Sequence, residues 1–163
     1  MRILGIDPGY AIMGFAVVEI VEKSIKFVDC GVVVTSPKLT FPERLEKIFE
    51  ETMKLFKKYK PDIAAIEDLY FRNNQKTAIC VAQSRGVMVL ASKISGVVVV
   101  SYTPAQIKMA VTGCGKAKKF EIISSMRTLL KLNFDPTPDD AADAIAIAVC
   151  HAGKVNELHQ GDE

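Results

Sequence analysis

Residues 139–148 read DDAADAIAIA, three aspartates running straight into a stretch suited to a buried helix. At 3.6 residues per turn, Asp140 and Asp143 stand three apart and share a face with Ala144 and Ile147, while Asp139 points elsewhere. Ala142, Ile145 and Val149 take the remaining sides, so the helix turns apolar all round, as an element packed on every face must be. The two acids therefore border the interior, where an unpaired carboxylate is strongly disfavoured. Basic side chains, protonation or a bound cation must compensate them.

Upstream lies the sheet that such a helix needs. Residues 2–7 are a short apolar run ending in the turn signal DPG, and residues 14–22 and 25–35 are β-branched, which predicts three consecutive strands. TFPE at 40–43 is a capping box with proline in the first turn; Leu45, Ile48, Phe49, Leu55, Phe56 and Tyr59 recur behind it at helical spacing. A strand over 63–67 follows, then a long helix from about residue 74 to 94, and GVVVV at 96–100 as a compact buried strand. Helices are expected over 104–112 and 119–131, and NFDPTPD breaks the chain before the final helix. The order predicts an α/β fold: a five-stranded mixed sheet, three antiparallel strands then two parallel ones, flanked by helices. Residues 1–152 are expected to form a single domain and residues 153–163 a flexible tail.

Bulk properties exclude several classes. A chain of 163 residues, 49% hydrophobic and 25% charged, suits one folded soluble domain. No stretch approaches the ~20 apolar residues of a membrane span, and the opening run, broken by Asp7, is too short for a signal peptide, so a cytoplasmic protein is expected. Cys30, Cys80, Cys114 and Cys150 have no zinc spacing and read as reduced thiols, and Cys150–His151 reads as helix packing. The net charge is only +2, yet residues 105–131 alone carry an excess of +5. That segment could hold phosphates, or simply form a solvated lysine face.

Two further acids end strands: Asp7 the first and Glu67 the fourth. If those strands are neighbours, both carboxylates meet at one edge, the usual place for a site in an α/β sheet. By alternation Asp7 shares its face with Ile3 and Gly5, and Glu67 with Ile63 and Ala65. The small Gly5 and Ala65 would let the last helix come close and deliver Asp140 and Asp143 to the same spot. Four acids with no lysine or histidine nearby would repel one another unless cations lay between them. Oxygen ligands suit Mg²⁺ or Mn²⁺, and two such ions about 4 Å apart support in-line hydrolysis of a phosphodiester.

Taken singly, each acid has a plainer reading. Asp7 before Pro8 can start a turn, Asp139 reads as a helix N-cap beside Pro138, and Asp68 alternates to the opposite face as a surface residue. GCGKAKK is no phosphate-binding loop: Ala110 stands where the first glycine belongs and Ala117 where a Ser or Thr should follow Lys116.

Five blocks in order, GIDPGYAIMGFAVVE, IAAIEDLYF, AQSRGV, YTPAQIKMAVTGCGKAKK and DDAADAIAIAVCH, resemble the RuvC family of Holliday junction resolvases over residues 1–152. The resemblance implies a ribonuclease H-like fold and a homodimer that nicks two opposite strands of a four-way DNA junction. It further implies two Mg²⁺ per site, with Mn²⁺ as a substitute, ligatable 5′-phosphate products, a role in recombination and repair, and partnership with RuvA and RuvB. The family's catalytic and metal-binding carboxylates fall on Asp7, Glu67, Asp140 and Asp143. Its DNA-binding lysines fall on Lys108 and Lys119, with Lys116 and Lys118 as helpers. Its helix carrying Q-x-R-G contributes to dimerisation, here through Gln83, Arg85 and Gly86. Where the family often has a junction-inserting phenylalanine this chain has Tyr70, with Phe71 beside it. Competing readings are another ribonuclease H-like nuclease acting on RNA or DNA ends, an actin-like phosphotransferase, and a catalytically silent junction-binding scaffold.

Overall fold

The structure, a computed structural model, describes residues 1–69 and 75–158. In chain order the elements are β1 (Arg2–Asp7), β2 (Ile12–Val21), β3 (Ser24–Val34), α1 (Phe41–Tyr59), β4 (Ile63–Glu67), α2 (Gln75–Ile94), β5 (Val98–Tyr102), α3 (Pro104–Thr112), α4 (Lys119–Leu130) and α5 (Asp139–Leu158). The strands form one sheet in the order β3-β2-β1-β4-β5. β1 to β3 pair antiparallel, and β4 runs parallel to both β1 and β5, which is the ribonuclease H-like arrangement expected.

Local chemistry accounts for the turns. Glu22 and Lys23 both adopt positive φ (47° and 65°), the two-residue turn whose twist matches an antiparallel hairpin. At the start of α1 the Thr40 N–H donates to the Glu43 carboxylate at 2.7 Å, the return bond of a capping box, and the Thr40 hydroxyl donates to the same carboxylate at 2.7 Å.

Strand alternation divides the interior in two. Leu4, Ile6, Met13, Val17, Ala64 and Ile66 face α1 and α2, meeting Ile48, Phe56, Met88 and Ala91. Ile3, Ala16, Val18 and Ala65 face the other helices, meeting Ile107, Met126, Ile145 and Ile147. Residues 144–150 of α5 are all buried, so the apolar-all-round reading of that helix holds. Each large aliphatic side chain there contributes roughly 1.5–3 kcal/mol by leaving water.

Several boundaries differ from expectation. The fifth strand starts at Val98 rather than residue 96, because Gly96 turns the chain with φ +72°. It is an edge strand, not a buried one, and Val98 remains 59% exposed. The last helix continues through residues 153–158, within the segment expected as a tail, and the Asn156 side-chain amide donates to the Lys23 carbonyl at 2.9 Å, tying this turn to the β2–β3 hairpin. Residues 159–163 lie outside the described residues. Asp139 is not an N-cap but the first helical residue, since the Pro138 carbonyl accepts the first helical bond, from the Ala141 N–H at 3.0 Å. His151 packs with the Tyr102 hydroxyl, 2.7 Å from its Nδ1, and burial pushes the Cys150 thiol up to about 11. Among the described residues, no helix is long and apolar enough to cross a membrane.

Candidate active site

β1 and β4 lie side by side and parallel, with Ile6 opposite Ile66, so Asp7 and Glu67 leave the sheet together at its carboxyl edge. α5 crosses this edge at very short range. A Cβ at Gly5 would overlap the Ala144 carbonyl oxygen, and a Cβ at Gly14 would overlap the Asp140 carbonyl. Gly14 is the register partner of Asp7 on β2. The helix turn that carries Asp140 therefore rests on the residue facing Asp7, and only glycine leaves room for it. Gly5 and Ala65 were legible in advance as small residues. Gly14 was missed, although a glycine inside a strand pattern is itself a signal of close backbone approach.

The electrostatics reflect this convergence. Burial, then the charges of Glu67, Asp143 and Asp140, push the half-buried Asp7 carboxyl up to about 7. Burial and Asp143 push Glu67 up to about 7 as well, opposed by Lys108 and Lys119. Asp7 thus stands in the field of Glu67, Asp140 and Asp143, and Glu67 in that of Asp143.

The acids do not lack a basic neighbour, contrary to expectation. Lys119, first residue of α4, places its ammonium 2.6 and 2.7 Å from the two carboxylate oxygens of Asp143 and 3.9 Å from the Asp139 carboxylate. Among the described residues, no three His, Cys, Asp or Glu side chains are gathered closely enough to hold a metal ion. By chemistry alone the four carboxylates are oxygen donors of the type a hard divalent cation takes, two with ionisation opposed by burial and neighbouring charge and one paired with a lysine cation.

Lys108, half-buried on α3, also acts on Glu67, whereas Lys116 and Lys118 are exposed on the α3–α4 connection. Tyr70 and Phe71 lie outside the described residues. Asp68 lies at the surface as expected, its side chain 45% exposed, but it is partnered there. Its Oδ1 accepts from Arg85 Nη2 at 2.8 Å and its N–H donates to the Tyr102 carbonyl at 2.8 Å. Arg85 also donates from Nε to the Glu67 carbonyl at 3.2 Å and from Nη2 to Ser101 Oγ at 2.6 Å, binding α2 to the ends of β4 and β5.

The family model of crossover junction endodeoxyribonuclease RuvC matches residues 3–151. The chain belongs to the RuvC family. It is 48% identical over 151 residues to the RuvC crossover junction endodeoxyribonuclease of Fusobacterium nucleatum, covering 93% of this chain and 80% of that protein. Thermus thermophilus RuvC superposes with a TM-score of 0.90 at 32% identity, covering 97% of each chain. The T. thermophilus RuvC in complex with Holliday junction substrate superposes with a TM-score of 0.87 at 30% identity, covering 96% of each.

Within this RuvC-family chain the Q-x-R-G segment has two faces. Gln83 and Gly86 point to solvent, in line with the exposed Ile79, Leu90 and Ile94, while Arg85 turns inward.

Proposed function

We propose that this protein is a structure-selective endonuclease that resolves four-way DNA junctions by paired, symmetric nicks, in recombination and repair. The observation carrying this reading is the convergence of Asp7, Glu67, Asp140 and Asp143 on one sheet edge in a RuvC-family chain. Those acids would hold two Mg²⁺, or Mn²⁺ in their place, which when bound supply an activated water and neutralise charge on the scissile phosphate. Asp7 and Glu67 bring a rigid, half-buried pair of oxygen donors, and α5 brings the other two. Lys119 exchanges Asp143 for a backbone phosphate, and Lys108, Lys116 and Lys118 extend the cationic track along α3 and the α3–α4 connection. Tyr70 stacks on bases at the junction centre, with Phe71 as the alternative ring.

The enzyme acts as a homodimer. Support comes from α2, where Ile79, Leu90 and Ile94 are 60%, 55% and 58% exposed along one face. A two-fold pair joined there supplies matched sites for two equivalent strands. Cleavage leaves ligatable 5′-phosphate ends in the cytoplasm, with RuvA and RuvB as partners.

The test is incubation of a labelled four-way junction with Mg²⁺, with Ca²⁺ and without metal, using the wild type and Asp7→Asn. Symmetric nicks with Mg²⁺, and binding without cutting by Asp7→Asn, are expected. Preferential cutting of RNA–DNA hybrids would favour another ribonuclease H-like activity, and binding with no metal-dependent cutting would favour a silent scaffold.

A further inference from the structure

We infer that Arg85 is a positioning residue for Glu67, holding the end of β4 from α2. The inference rests on the proposed role of Glu67 in the site. β4 has only five residues and Glu67 is its last, so the direction of that side chain depends on the peptide that follows. This peptide is held at both ends. Its carbonyl, that of Glu67, accepts from Arg85 Nε at 3.2 Å; its N–H, that of Asp68, donates to the Tyr102 carbonyl at 2.8 Å. Because a peptide unit is planar, gripping both groups fixes the backbone angles on either side and with them the exit of the Glu67 side chain.

The guanidinium is itself locked. Asp68 Oδ1 at 2.8 Å and Ser101 Oγ at 2.6 Å take Nη2, leaving the Arg85 side chain only 22% exposed. One planar fork thus spans β4 and β5 from a third element, a geometry the single ammonium of lysine cannot reproduce. Arg85 also forms an ion pair with Asp68, the residue that follows Glu67. The arginine acts through backbone and charge, not by touching the substrate. The outer face of α2, with Gln83 and Gly86, remains free for the proposed dimer contact, so adjacent residues of one motif serve the interface and the site.

Arg85→Gln, Arg85→Lys and Ser101→Ala test the assignment in the full chain. Three quantities are measured: junction affinity in Ca²⁺, single-turnover cleavage at saturating protein in Mg²⁺, and the rise in melting temperature of DNA-free protein on titration with Mn²⁺. Arg85→Gln should bind the junction within about threefold of wild type yet cut it about 10–100-fold more slowly, the usual effect of losing a residue that orients a ligand. Its Mn²⁺ midpoint should move to higher concentration. Arg85→Lys should recover only part of the rate. A saturated rate for Arg85→Gln within twofold of wild type, or a loss confined to affinity, overturns the inference. Should Arg85→Gln fail to fold, Ser101→Ala decides: slower saturated cutting at unchanged affinity supports it, and an unchanged rate overturns it. A wild type that binds junctions without cutting them refutes the nuclease reading, while the Mn²⁺ midpoints still judge Arg85.

Discussion

Lys119 and Asp143, 24 residues apart in the chain, form a two-pronged ion pair in which one ammonium lies 2.6 and 2.7 Å from the two oxygens of one carboxylate. The pair joins the first turn of α4 to the second turn of α5 beside Asp7 and Glu67. In the proposed reaction this lysine has two partners, an acid of the site and a phosphate of the substrate. Lys119→Met should slow saturated cleavage about 10²-fold, the scale for losing one preorganised cationic or hydrogen-bonding group. Because Lys119 opposes the upward shifts of Asp7 and Glu67, its loss should also move the acidic limb of the rate profile to higher pH. A pH–rate series on both proteins checks this; an unmoved limb would remove Lys119 from the field of the acids.

Stability of the metal-free protein should fall as pH rises. Asp7 and Glu67 ionise near pH 7 in the fold, against ordinary values of 3.8 and 4.5. A group with a raised folded pKa favours the folded state fully below its unfolded value and loses that contribution as pH climbs through the folded one. The melting temperature in EDTA should therefore drop between pH 5 and pH 8. Asp7→Asn should flatten the drop, and Mg²⁺ should reverse it for the wild type. A flat wild-type profile would mean that the two acids are not forced together.

Gly14→Ala should harm both fold and catalysis, since its methyl group would occupy the position of the Asp140 carbonyl. The overlap should cost about 1–3 kcal/mol. By lifting the start of α5 from β2 it should also lower saturated cleavage more than tenfold. Gly153→Ala in the same helix is the control: its added Cβ meets nothing within 4 Å, and it should stabilise by about 0.5–1 kcal/mol. Urea unfolding and single-turnover cleavage measure the contrast.

Charge on the exposed face of α2 should break the proposed dimer. Leu90→Asp places a carboxylate at a side chain 55% exposed in the single chain and covered in the pair. Sedimentation should find monomers with unchanged helical content, and paired nicking of a junction should give way to loss of activity. Wild-type protein that sediments as a monomer at micromolar concentration would reject this interface.

Junction binding should weaken steeply with salt. Replacing Lys108, Lys116 or Lys118 by alanine should each lower the slope of log Kd against log salt by about one, as expected for one released phosphate contact. Titrations from 50 to 300 mM salt in Ca²⁺ measure it, and a lysine whose loss leaves the slope intact is merely a solvating charge.

Asp7, Glu67, Asp140 and Asp143 were readable as a set because each breaks a local rule: two end apolar strands, and two begin a helix whose following residues 144–150 are all buried. The mixed sheet was readable for a related reason. Strand and helix periods, a capping box and turn residues act over a few positions, so neighbouring letters suffice to show them. Even the closeness of α5 to β1 was foreshadowed by Gly5 and Ala65.

The chain's letters alone thus determined the element order, the apolar closing helix and the identity of the acids that border it. Tertiary structure alone decided what stands beside those acids: Lys119 on Asp143, Gly14 beneath Asp140, Arg85 behind Glu67. It also decided that β5 is an edge strand and that Asp68 is a working partner. The physical reason is range. Periodicity and capping are set within one or two turns of backbone, whereas a lysine finds its carboxylate, or a glycine admits a carbonyl, only after separate elements have packed to within a few ångströms.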